Sequence, residues 1–534
     1  MKQIDINNLP DDPAVLKQII IAQQKENAAQ QKQIELCLEQ IELLKHKVFG
    51  KSSERHTSQE EELQGRLFDI PEVEEPEDED VSEDASDDDE ILVPEHKRAK
   101  PGRKPLPAHL PRVDVVHDIP EEEKVCPCGC QLTCIGADES ERLCHKPAEV
   151  YVELHKRLKY ACRECEGTED DGPTVKISPL VPTLIPKSIA TPSLLAYILV
   201  SKFVDALPFY RQEKIFARQN IDMNRTTMCN WAMKVASACE PLLEALSQEI
   251  RSGPLINIDE TKIQVLKEAG RSPTTDSFMW VRVGGVFGRP GIIFTYAPSR
   301  GSEVAEQLLA GYQGIVQSDG YKGYDFLKKI AGIIHAGCFA HIRRKFMDVL
   351  NSGKKKGAKR KKTTKYTNAN KAVDYIKKLY SIEKKLRNAE LAEDEFLSRR
   401  EKLARPVVDD FKKFLDELKP KVPKDVLLGK AVNYALDEWE KATKYLEYSF
   451  MKPDNNIVEN AIRPFVVGRK NWLFSGHAKG AEASATIYSL IETAKANNLE
   501  PFKYLNYIFE KIPFAKTAED YKALLPMYLS PEVL

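Results

Sequence analysis

Two short apolar segments that each run into an aspartate limit what this chain can fold into. Residues 255–261 contain Asp259 and residues 314–320 contain Asp319, and both segments have the length and apolar content of buried β-strands. When two such strands lie side by side in one sheet, the polar residues at their ends gather at the same edge. We therefore predict that the two carboxylates lie close together at one edge of a mixed sheet.

The residues around these segments extend the predicted sheet. Residues 278–284 and 291–296 are rich in β-forming residues and are separated by glycines, which predicts two more strands. Residues 333–338 predict a fifth strand, and a helix is predicted over residues 339–350. The sequence therefore predicts the first part of an α/β core over residues 251–350.

A third carboxylate is expected from a helix that lies much later in the chain. Glu459 falls early in this predicted helix, and Asp454 or Asn455 can supply its N-cap oxygen. Arg463 follows one turn later on the same face, where it can contact phosphate. Residues 451–505 are therefore predicted as the second part of the core, which completes the acidic site.

These three acids suit divalent cations. Mg²⁺ prefers carboxylate oxygens, and two ions about 4 Å apart activate a water or a 3′-hydroxyl and stabilise the leaving oxygen of a phosphoryl displacement. We therefore predict Asp259, Asp319 and Glu459 as catalytic residues and as ligands of two Mg²⁺ ions, with Mn²⁺ able to substitute. The alternative is that acids after strands only mark ordinary loop starts.

Residues 351–450 are predicted as a helical insertion between the last strand and the Glu459 helix. Residues 354–365 are very rich in lysine and are predicted as a loop, which either touches phosphate or is merely solvated. Pro406 is expected to break or kink the helical stretch around it. Residues 506–534 are predicted as a C-terminal tail. The helical period of 3.6 residues is found over residues 372–385, 392–405, 407–418 and 426–448.

Residues 12–50 have the pattern of a coiled coil. Seam positions alternate in steps of four and three residues, with polar residues at the middle of the seam. The pattern predicts a homodimer or a higher oligomer, or else a helix that packs on its own chain. The seam residues are Leu16, Ile20, Gln23, Asn27, Gln30, Ile34, Cys37, Ile41, Leu44 and Val48.

Residues 51–100 are predicted as an acidic disordered linker. Residues 71–90 contain thirteen acidic residues and no lysine or arginine, so the net charge of −2 becomes +11 without them. A segment this polar cannot bury enough apolar surface to fold. The basic remainder suits a polyanionic partner, although charge alone leaves a solvated surface as an equal alternative.

Residues 101–180 carry a basic hook and a cysteine cluster. Arg103 and Lys104 lie in a narrow segment that suits an A·T-rich minor groove, or form a plain basic linker. Seven of the eleven cysteines lie within residues 126–165, which favours a structural Zn²⁺ in a zinc-ribbon-like module over disulfides; unligated cysteines are the alternative. Because three cysteines alternate in the first group, Cys130 is an alternative ligand. The predicted zinc ligands are Cys126, Cys128, Cys162 and Cys165.

Residues 186–250 are predicted as a helical DNA-binding domain. Helices over residues 210–218 and 225–237, joined by a turn at 220–224, give the helix-turn-helix pattern, although two ordinary core helices give it too. The second helix has a polar start, as expected for a helix that reads double-stranded DNA. The DNA contacts predicted from it are Arg225, Thr226, Thr227 and Asn230.

Further cations flank the predicted acids. They lie after the fifth strand, on the Glu459 helix and after that helix, close to aromatic residues, where a DNA strand needs charge and stacking surfaces. His341 lies among them and either holds the DNA backbone or is a satisfied core residue. The predicted backbone contacts are Arg343, Arg344, Lys345, Arg463, Arg469 and Lys470.

Over most of its length the chain resembles the insertion-sequence-66 family of DDE transposases. The motifs that carry the resemblance are highly specific as a set, although several are weak singly. They are GRKPLP at 102–107, IDET at 258–261, SDGY at 318–321, CFAHIRRKF at 338–346, DNN at 454–456 with Glu459, GRKNWLF at 468–474 and IYSLIETA at 487–494.

The resemblance implies a ribonuclease-H-like catalytic core with the three acids as metal ligands, a leucine zipper, a zinc finger and a helix-turn-helix. It also implies that accessory proteins of the same mobile element assist transposition. The expected protein is a multidomain α/β transposase in the cytoplasm, associated with the nucleoid. It would bind the inverted repeats of an insertion sequence and catalyse Mg-dependent strand cleavage and strand transfer. A DNA-binding regulator without catalytic activity and a structure-selective nuclease with the same core are the alternatives. No membrane partner is expected, since no segment approaches the roughly 20 apolar residues of a membrane helix.

Overall fold

The computed structural model describes residues 150–157, 159–161, 175–177, 179–352 and 366–534, which belong to two compact units. In the smaller unit, strands β1 (Lys159–Ala161) and β2 (Val175–Ile177) pair antiparallel. The predicted coiled coil, acidic linker, basic hook and lysine-rich loop lie outside the described residues, as do Arg103, Lys104 and all five candidate zinc ligands. The larger unit contains the predicted acids.

Four helices open the larger unit. The first begins at Pro192, whose fixed φ suits the first helical turn, and the Thr191 hydroxyl caps it by accepting a hydrogen bond from the Leu194 amide at 3.3 Å. The predicted helix-turn-helix pair is present as two helices with a six-residue connection. The four are α1 (Pro192–Phe203), α2 (Phe209–Arg218), α3 (Arg225–Ala238) and α4 (Glu240–Ser252).

A mixed sheet follows these helices. Its strand order is β5-β4-β3-β6-β7, in which β3, β4 and β5 pair antiparallel while β6 and β7 run parallel to β3. A short strand, β8, pairs with the far end of β3. The strands are β3 (Leu255–Lys267), β4 (Asp276–Gly284), β5 (Gly291–Ala297), β6 (Gly314–Gln317), β7 (Ile333–Ala336) and β8 (Ser475–His477).

The first strand is longer than the sequence predicts. We expected a short strand ending at Asp259, but β3 continues for eight residues beyond it, to Lys267. The extension is held by antiparallel pairing with β4 as far as Gln264, and its Ile263 and Val265 side chains are buried. The acidic residue therefore lies in the middle of a strand, at the point where pairing with β6 has ended.

The insertion is helical, as predicted, but its helices are divided differently. Pro406 does not break its helix, which is continuous through this position. Proline removes one backbone hydrogen bond, and burial of the neighbouring Ala404 and Val408 side chains in the core offsets this loss. The single helix expected over residues 426–448 is three shorter pieces, the last a 3₁₀ turn. The helices from β5 onward are α5 (Ser302–Leu308), α6 (Phe339–Ser352), α7 (Asn368–Arg387), α8 (Glu393–Leu418), α9 (Leu427–Asp437) and α10 (Trp439–Thr443).

The C-terminal helices complete the larger unit. One of them covers the edge strand β5, where the hydroxyls of Thr493 and Ser489 accept hydrogen bonds from the amides of Ile292 and Phe294 at 3.0 and 2.8 Å. Residues 506–534 were predicted as a C-terminal tail, but the predicted boundary falls within the helix Pro501–Lys511. The apolar side chains of this helix are buried, so the segment packs into the core. These helices are α11 (Asn456–Trp472), α12 (Ala478–Ala496), α13 (Pro501–Lys511) and α14 (Ala518–Ala523).

Two apolar cores lie on opposite faces of β6. Val316 of β6 belongs to the core formed with α1–α4 and α11–α13, whereas its neighbour Ile315 belongs to the core of the inserted helices. Alternate residues of a strand point to opposite faces, so the insertion packs on one face of β6 and β7. The predicted helical domain at 186–250 shares one core with the sheet. In the described part of the chain, every helix is too short or too polar to span a membrane.

Candidate active site

The pairing of β3 with β6 aligns the two aspartates. Asn257 is the register partner of Gln317, and each aspartate lies two residues further along its own chain. Residues two apart point to the same face, and neighbouring strands lie about 4.8 Å apart. Asp259 therefore points to the same face as Asn257, and Asp319 follows the end of β6, close enough for its charge to raise the pKa of Asp259.

Buried amide side chains join this edge to the start of α11. The Asn257 amide donates to Gln317 Oε1 at 2.9 Å and to Asn455 Oδ1 at 2.7 Å. The Asn455 amide donates in turn to the carbonyl of Ile258 at 3.1 Å. The amide of Gln317 also reaches the carbonyl of Lys452 at 3.1 Å, so both strands hold the segment that leads into α11.

These amides were missed by the sequence analysis, although a signal was present. Asn257 and Gln317 are polar residues inside otherwise apolar strands, each two positions before an acid. Buried polar side chains are retained only with hydrogen-bond partners, so paired polar interruptions indicate a network. The network fixes where α11 begins, and therefore where Glu459 lies.

We expect Asn455→Ala to destabilise the fold and lower activity together. The substitution removes an acceptor from the buried Asn257 amide and a donor from the Ile258 carbonyl, and an unsatisfied buried group costs about 1–3 kcal/mol. The free energy of unfolding, measured by urea denaturation, checks this. Asn460→Ala, at an exposed position of the same helix, is the control and should fall within about 0.5 kcal/mol of wild type. If Asn455→Ala and Asn460→Ala change the free energy of unfolding equally, the buried amide network does not stabilise the fold.

Glu459 lies in the first turn of α11. Asp454, one of the two expected cap residues, accepts a hydrogen bond from the Asn456 amide at 3.0 Å, whereas the Asn455 side chain makes no cap bond. Two side chains of α6 face the Glu459 carboxylate. Arg344 donates to Glu459 Oε2 at 3.3 Å, and His341 Nε2 lies 3.7 Å from Oε1.

The three carboxylates act on one another electrostatically. The pKa of Asp259 is raised well above its usual value, first by burial, then by the charges of Glu260 and Asp319, and to a smaller degree by Glu459. A hydrogen bond from the Glu260 amide at 2.9 Å opposes this shift. The pKa of the His341 ring is lowered by burial and by Arg344, while Glu459 and Asp319 oppose that shift. The charges of Asp319 and Glu459 therefore both act on Asp259 and on His341.

A fourth acid lies beside this space and was not predicted. Glu260 is buried and forms an ion pair with Arg300, and it accepts a hydrogen bond from the Tyr324 hydroxyl at 2.7 Å. Arg300 also lies 3.9 Å from Asp319, with its guanidinium 3.8 Å above the ring of Tyr321. Burial raises the pKa of Glu260, and its partners lower it again. Arg300 thus links Glu260 to Asp319.

The acids have the character of a divalent-cation site. Glu459 Oε1 is buried and has no hydrogen-bond partner, and the raised pKa of Asp259 shows that its negative charge is poorly compensated. Hard cations prefer such carboxylate oxygens, so the residues fit Mg²⁺. Within residues 179–352 and 366–534, however, no three His, Cys, Asp or Glu side chains converge into a finished ligand group. The carboxylates would therefore have to turn toward a shared ion.

We expect Asp259→Asn to raise the thermal stability of the metal-free protein. A carboxyl whose pKa is raised by folding stabilises the native state when protonated, and this stability is lost as pH rises through the folded pKa. The gain in Tm over wild type should therefore grow from pH 5 to pH 8; 1 kcal/mol corresponds to about 2–4 °C in a domain of 150–250 residues. Calorimetry in EDTA checks it. A gain in Tm that shrinks as the pH rises would contradict the predicted direction of the effect.

The predicted DNA contacts fall into two groups. Arg225, Thr226 and Asn230 are exposed on α3, whose opposite face is buried, while Thr227 is half-buried and its hydroxyl bonds Asn224 at 3.1 Å. Near the acids, the exposed cations are Arg344, Lys345, Arg463 and Lys470, with Arg469 half-buried.

Arg343 does not belong with these cations. It is buried, on the face of α6 that also carries Phe339, Ile342 and Phe346 and packs into the core of the inserted helices. The periodicity of the helix explains this, since a residue three or four positions from a core residue shares its face. The basic run at 343–345 therefore presents Arg344 and Lys345 to solvent and turns Arg343 inward.

Family models match along the chain. One described as "Transposase IS66 family" matches residues 187–483, and "IS66 C-terminal element" matches residues 489–527. In the N-terminal part, "Transposase C of IS166 homeodomain" matches residues 37–115, and "zinc-finger binding domain of transposase IS66" matches residues 123–166. The chain belongs to the IS66 family of transposases, which confirms the resemblance found from its motifs.

Similar proteins are found along the full length of the chain. The uncharacterized protein y4qI of Sinorhizobium fredii is 30% identical, over 99% of this chain and 99% of the relative. Two more uncharacterized proteins of that organism are similar. Protein y4jD is 34% identical over 79% of this chain and 81% of its own length, and y4hP is 28% identical over 88% and 85%.

Proposed function

We propose that this member of the family is a DDE transposase with a ribonuclease-H-like core. It would bind the inverted repeats of an insertion sequence and catalyse metal-dependent cleavage and transfer of DNA strands. The observation that carries the proposal is the alignment of Asn257 with Gln317, two residues before Asp259 and Asp319, together with the Asn257–Asn455 hydrogen bond that holds the start of the Glu459 helix against β3. Asp259 lies on β3, Asp319 follows the end of the neighbouring strand β6, and Glu459 lies on a helix 140 residues after Asp319.

In this proposal the three acids hold two Mg²⁺ ions. When bound, the ions supply an activated water or 3′-hydroxyl and charge stabilisation at the leaving oxygen. The chain itself orients the acids: Arg344 and His341 direct the Glu459 carboxylate, and Arg300 directs Asp319. The Asn257–Asn455 bond keeps α11 against β3, so the helix acid stays beside the strand acids.

DNA recognition is assigned to helices and modules outside the acidic site. The exposed start of α3, with Arg225, Thr226 and Asn230, is proposed to enter the major groove as the second helix of a helix-turn-helix. The zinc-finger module, with Zn²⁺ on four cysteines, and the basic hook would add contacts to the same element end. A dimer would bring two ends together, with accessory proteins of the same element assisting.

The experiment is a strand-cleavage and joining assay. Labelled duplexes that carry the two terminal sequences flanking the gene are incubated with the full chain, target DNA and Mg²⁺ or Mn²⁺. The proposal predicts a nick at the element end and, later, joined products. Binding without cleavage would indicate a regulator, and cleavage without joining would indicate a nuclease; either result would overturn the proposal.

A further inference from the structure

The end of α11 has an unusual backbone. Leu473 has φ 65° and ψ −50°, and the Phe474 amide donates to the Trp472 carbonyl at 2.8 Å. These values and this two-residue hydrogen bond define the strained form of the γ-turn, which is rare for a residue with a side chain. Strain of this kind persists only where the surroundings enforce it, and it often marks a functional site.

Both sides of the turn are fixed. On the helix side the Leu473 amide bonds the Arg469 carbonyl at 2.7 Å, and the Trp472 ring packs edge-on against Phe465, with 5.6 Å between ring centroids. On the other side, β8 begins at once and pairs with the far end of β3, where Ser475 is the partner of Val265. The turn is therefore a rigid tip between two anchored elements.

The tip presents apolar side chains to solvent. The Leu473 side chain is 63% exposed and that of Phe474 is 44% exposed, although residues of these types are commonly buried. We name residues 473 and 474 the apolar tip. A strained turn that directs two large apolar groups outward gains nothing for the isolated fold, which points to a partner that covers them.

The charge around the apolar tip indicates which class of partner the tip contacts. Residues 460–481 contain four lysines and arginines and no acidic residue. Arg463, Val467 and Lys470 are exposed along α11, so cations lead from Glu459 toward the apolar tip. A surface that combines cations with outward apolar groups suits DNA, since apolar wedges inserted between base pairs accompany phosphate contacts in proteins that distort the duplex.

We propose that the apolar tip inserts between base pairs of the element end and unstacks them. This inference rests on the proposed function, because α11 would lie along the DNA that the acids cut. Leu473 follows Glu459 by fourteen residues, which is roughly 21 Å at the rise of an α-helix. At 3.4 Å per base pair, the unstacked step lies about six base pairs from the scissile phosphate.

The test uses the fluorescent base 2-aminopurine, which brightens when it is unstacked. It is placed at successive positions of the terminal duplex, over one helical turn from the cleavage site, and the full chain is added in EDTA so that no strand is cut. We expect brightening confined to the step about six base pairs from the cleavage site. Leu473→Gly and Phe474→Ala should lose most of this signal and retain their Tm.

The variants are chosen to separate the side chains from the turn. Leu473→Gly removes the side chain at a φ that glycine accepts, so the turn itself remains. Phe514→Ala removes another exposed apolar residue, away from α11, and should keep the full signal.

Other results of this experiment would contradict either the inference about the apolar tip or the proposed function. Uniform fluorescence, or brightening that persists in both tip variants, would overturn the inference while cleavage of the same duplex still supports the proposed function. A change of oligomeric state in the tip variants, with the signal unchanged, would assign the tip to a second copy of the chain and overturn it too. Failure of the chain to bind or cut these ends would refute the proposed function itself.

Discussion

Replacing any one of the three acids is expected to abolish strand cleavage and joining while leaving binding of the element end intact. The variants are Asp259→Asn, Asp319→Asn and Glu459→Gln. Each removes one charged ligand of the proposed ions, and metal ions contribute several kcal/mol to such transition states. We therefore expect the cleavage rate to fall by about a thousandfold or more, since each 1.36 kcal/mol is a factor of ten. Single-turnover cleavage of labelled duplexes measures it.

Glu260 provides the matched control for these variants. It neighbours Asp259, is buried and carries the same charge, but its carboxylate is already engaged by Arg300 and Tyr324. We expect Glu260→Gln to retain far more activity than Asp259→Asn, because the Gln oxygen still accepts from Arg300 and its amide can donate to the Tyr324 hydroxyl. If cleavage survives in the three acid variants, or if Glu260→Gln is equally inactive, the assignment of the ligands is wrong.

Loss of a buried arginine in the insertion is expected to have the largest effect on stability. The Arg400 side chain is fully buried and bonds Glu383, at 2.6 Å, and the carbonyls of Tyr445, Tyr448 and Met451. Its removal leaves Glu383 with less compensation in the core, and breaking such a pair costs about 3–5 kcal/mol. We expect Arg400→Met to lower the free energy of unfolding by this amount in urea denaturation.

The neighbouring Arg399 provides the control for the insertion. Its ion pair with Glu395 is of similar length, but both side chains are about half exposed. Exposed pairs contribute about 0.2–1 kcal/mol, so Arg399→Met should be nearly neutral. Removing Glu383 together with Arg400 should recover part of the loss, because the Glu383 charge is then no longer buried with too few partners. If Arg400→Met and Arg399→Met lower the free energy of unfolding equally, burial of Arg400 is not the cause of its effect.

Much of the fold follows from local sequence patterns. The five strands of residues 255–338 and the helix pair around residues 219–224 were predicted from apolar runs and turn residues, and the structure confirms these elements. The full length of β3 was not predicted, although Lys262, Ile263, Gln264 and Val265 alternate polar and apolar; this extension is held by pairing with β4. The continuous helix through Pro406 likewise depends on tertiary packing, which a local rule about proline does not include.

The site was also predictable only in part, because local sequence patterns do not show contacts between distant segments. Asp259 and Asp319 follow from strand patterns, and Glu459 follows from its position near a helix start together with the family resemblance. The Asn257–Gln317–Asn455 network joins residues up to 198 positions apart, and no local pattern gives such pairings. Arg343 shows the converse: a basic run predicts charge at a surface, but helix periodicity decides which of its members face the core.

Anomalous scattering from Mn²⁺ would locate the divalent ions that the three distant carboxylates are proposed to share. Crystals of the full chain grown or soaked with MnCl₂ would be measured near the manganese absorption edge. We expect two anomalous peaks about 4 Å apart, in contact with oxygens of Asp259, Asp319 and Glu459. Peaks elsewhere, or the three side chains remaining apart with no manganese between them, would contradict this proposal.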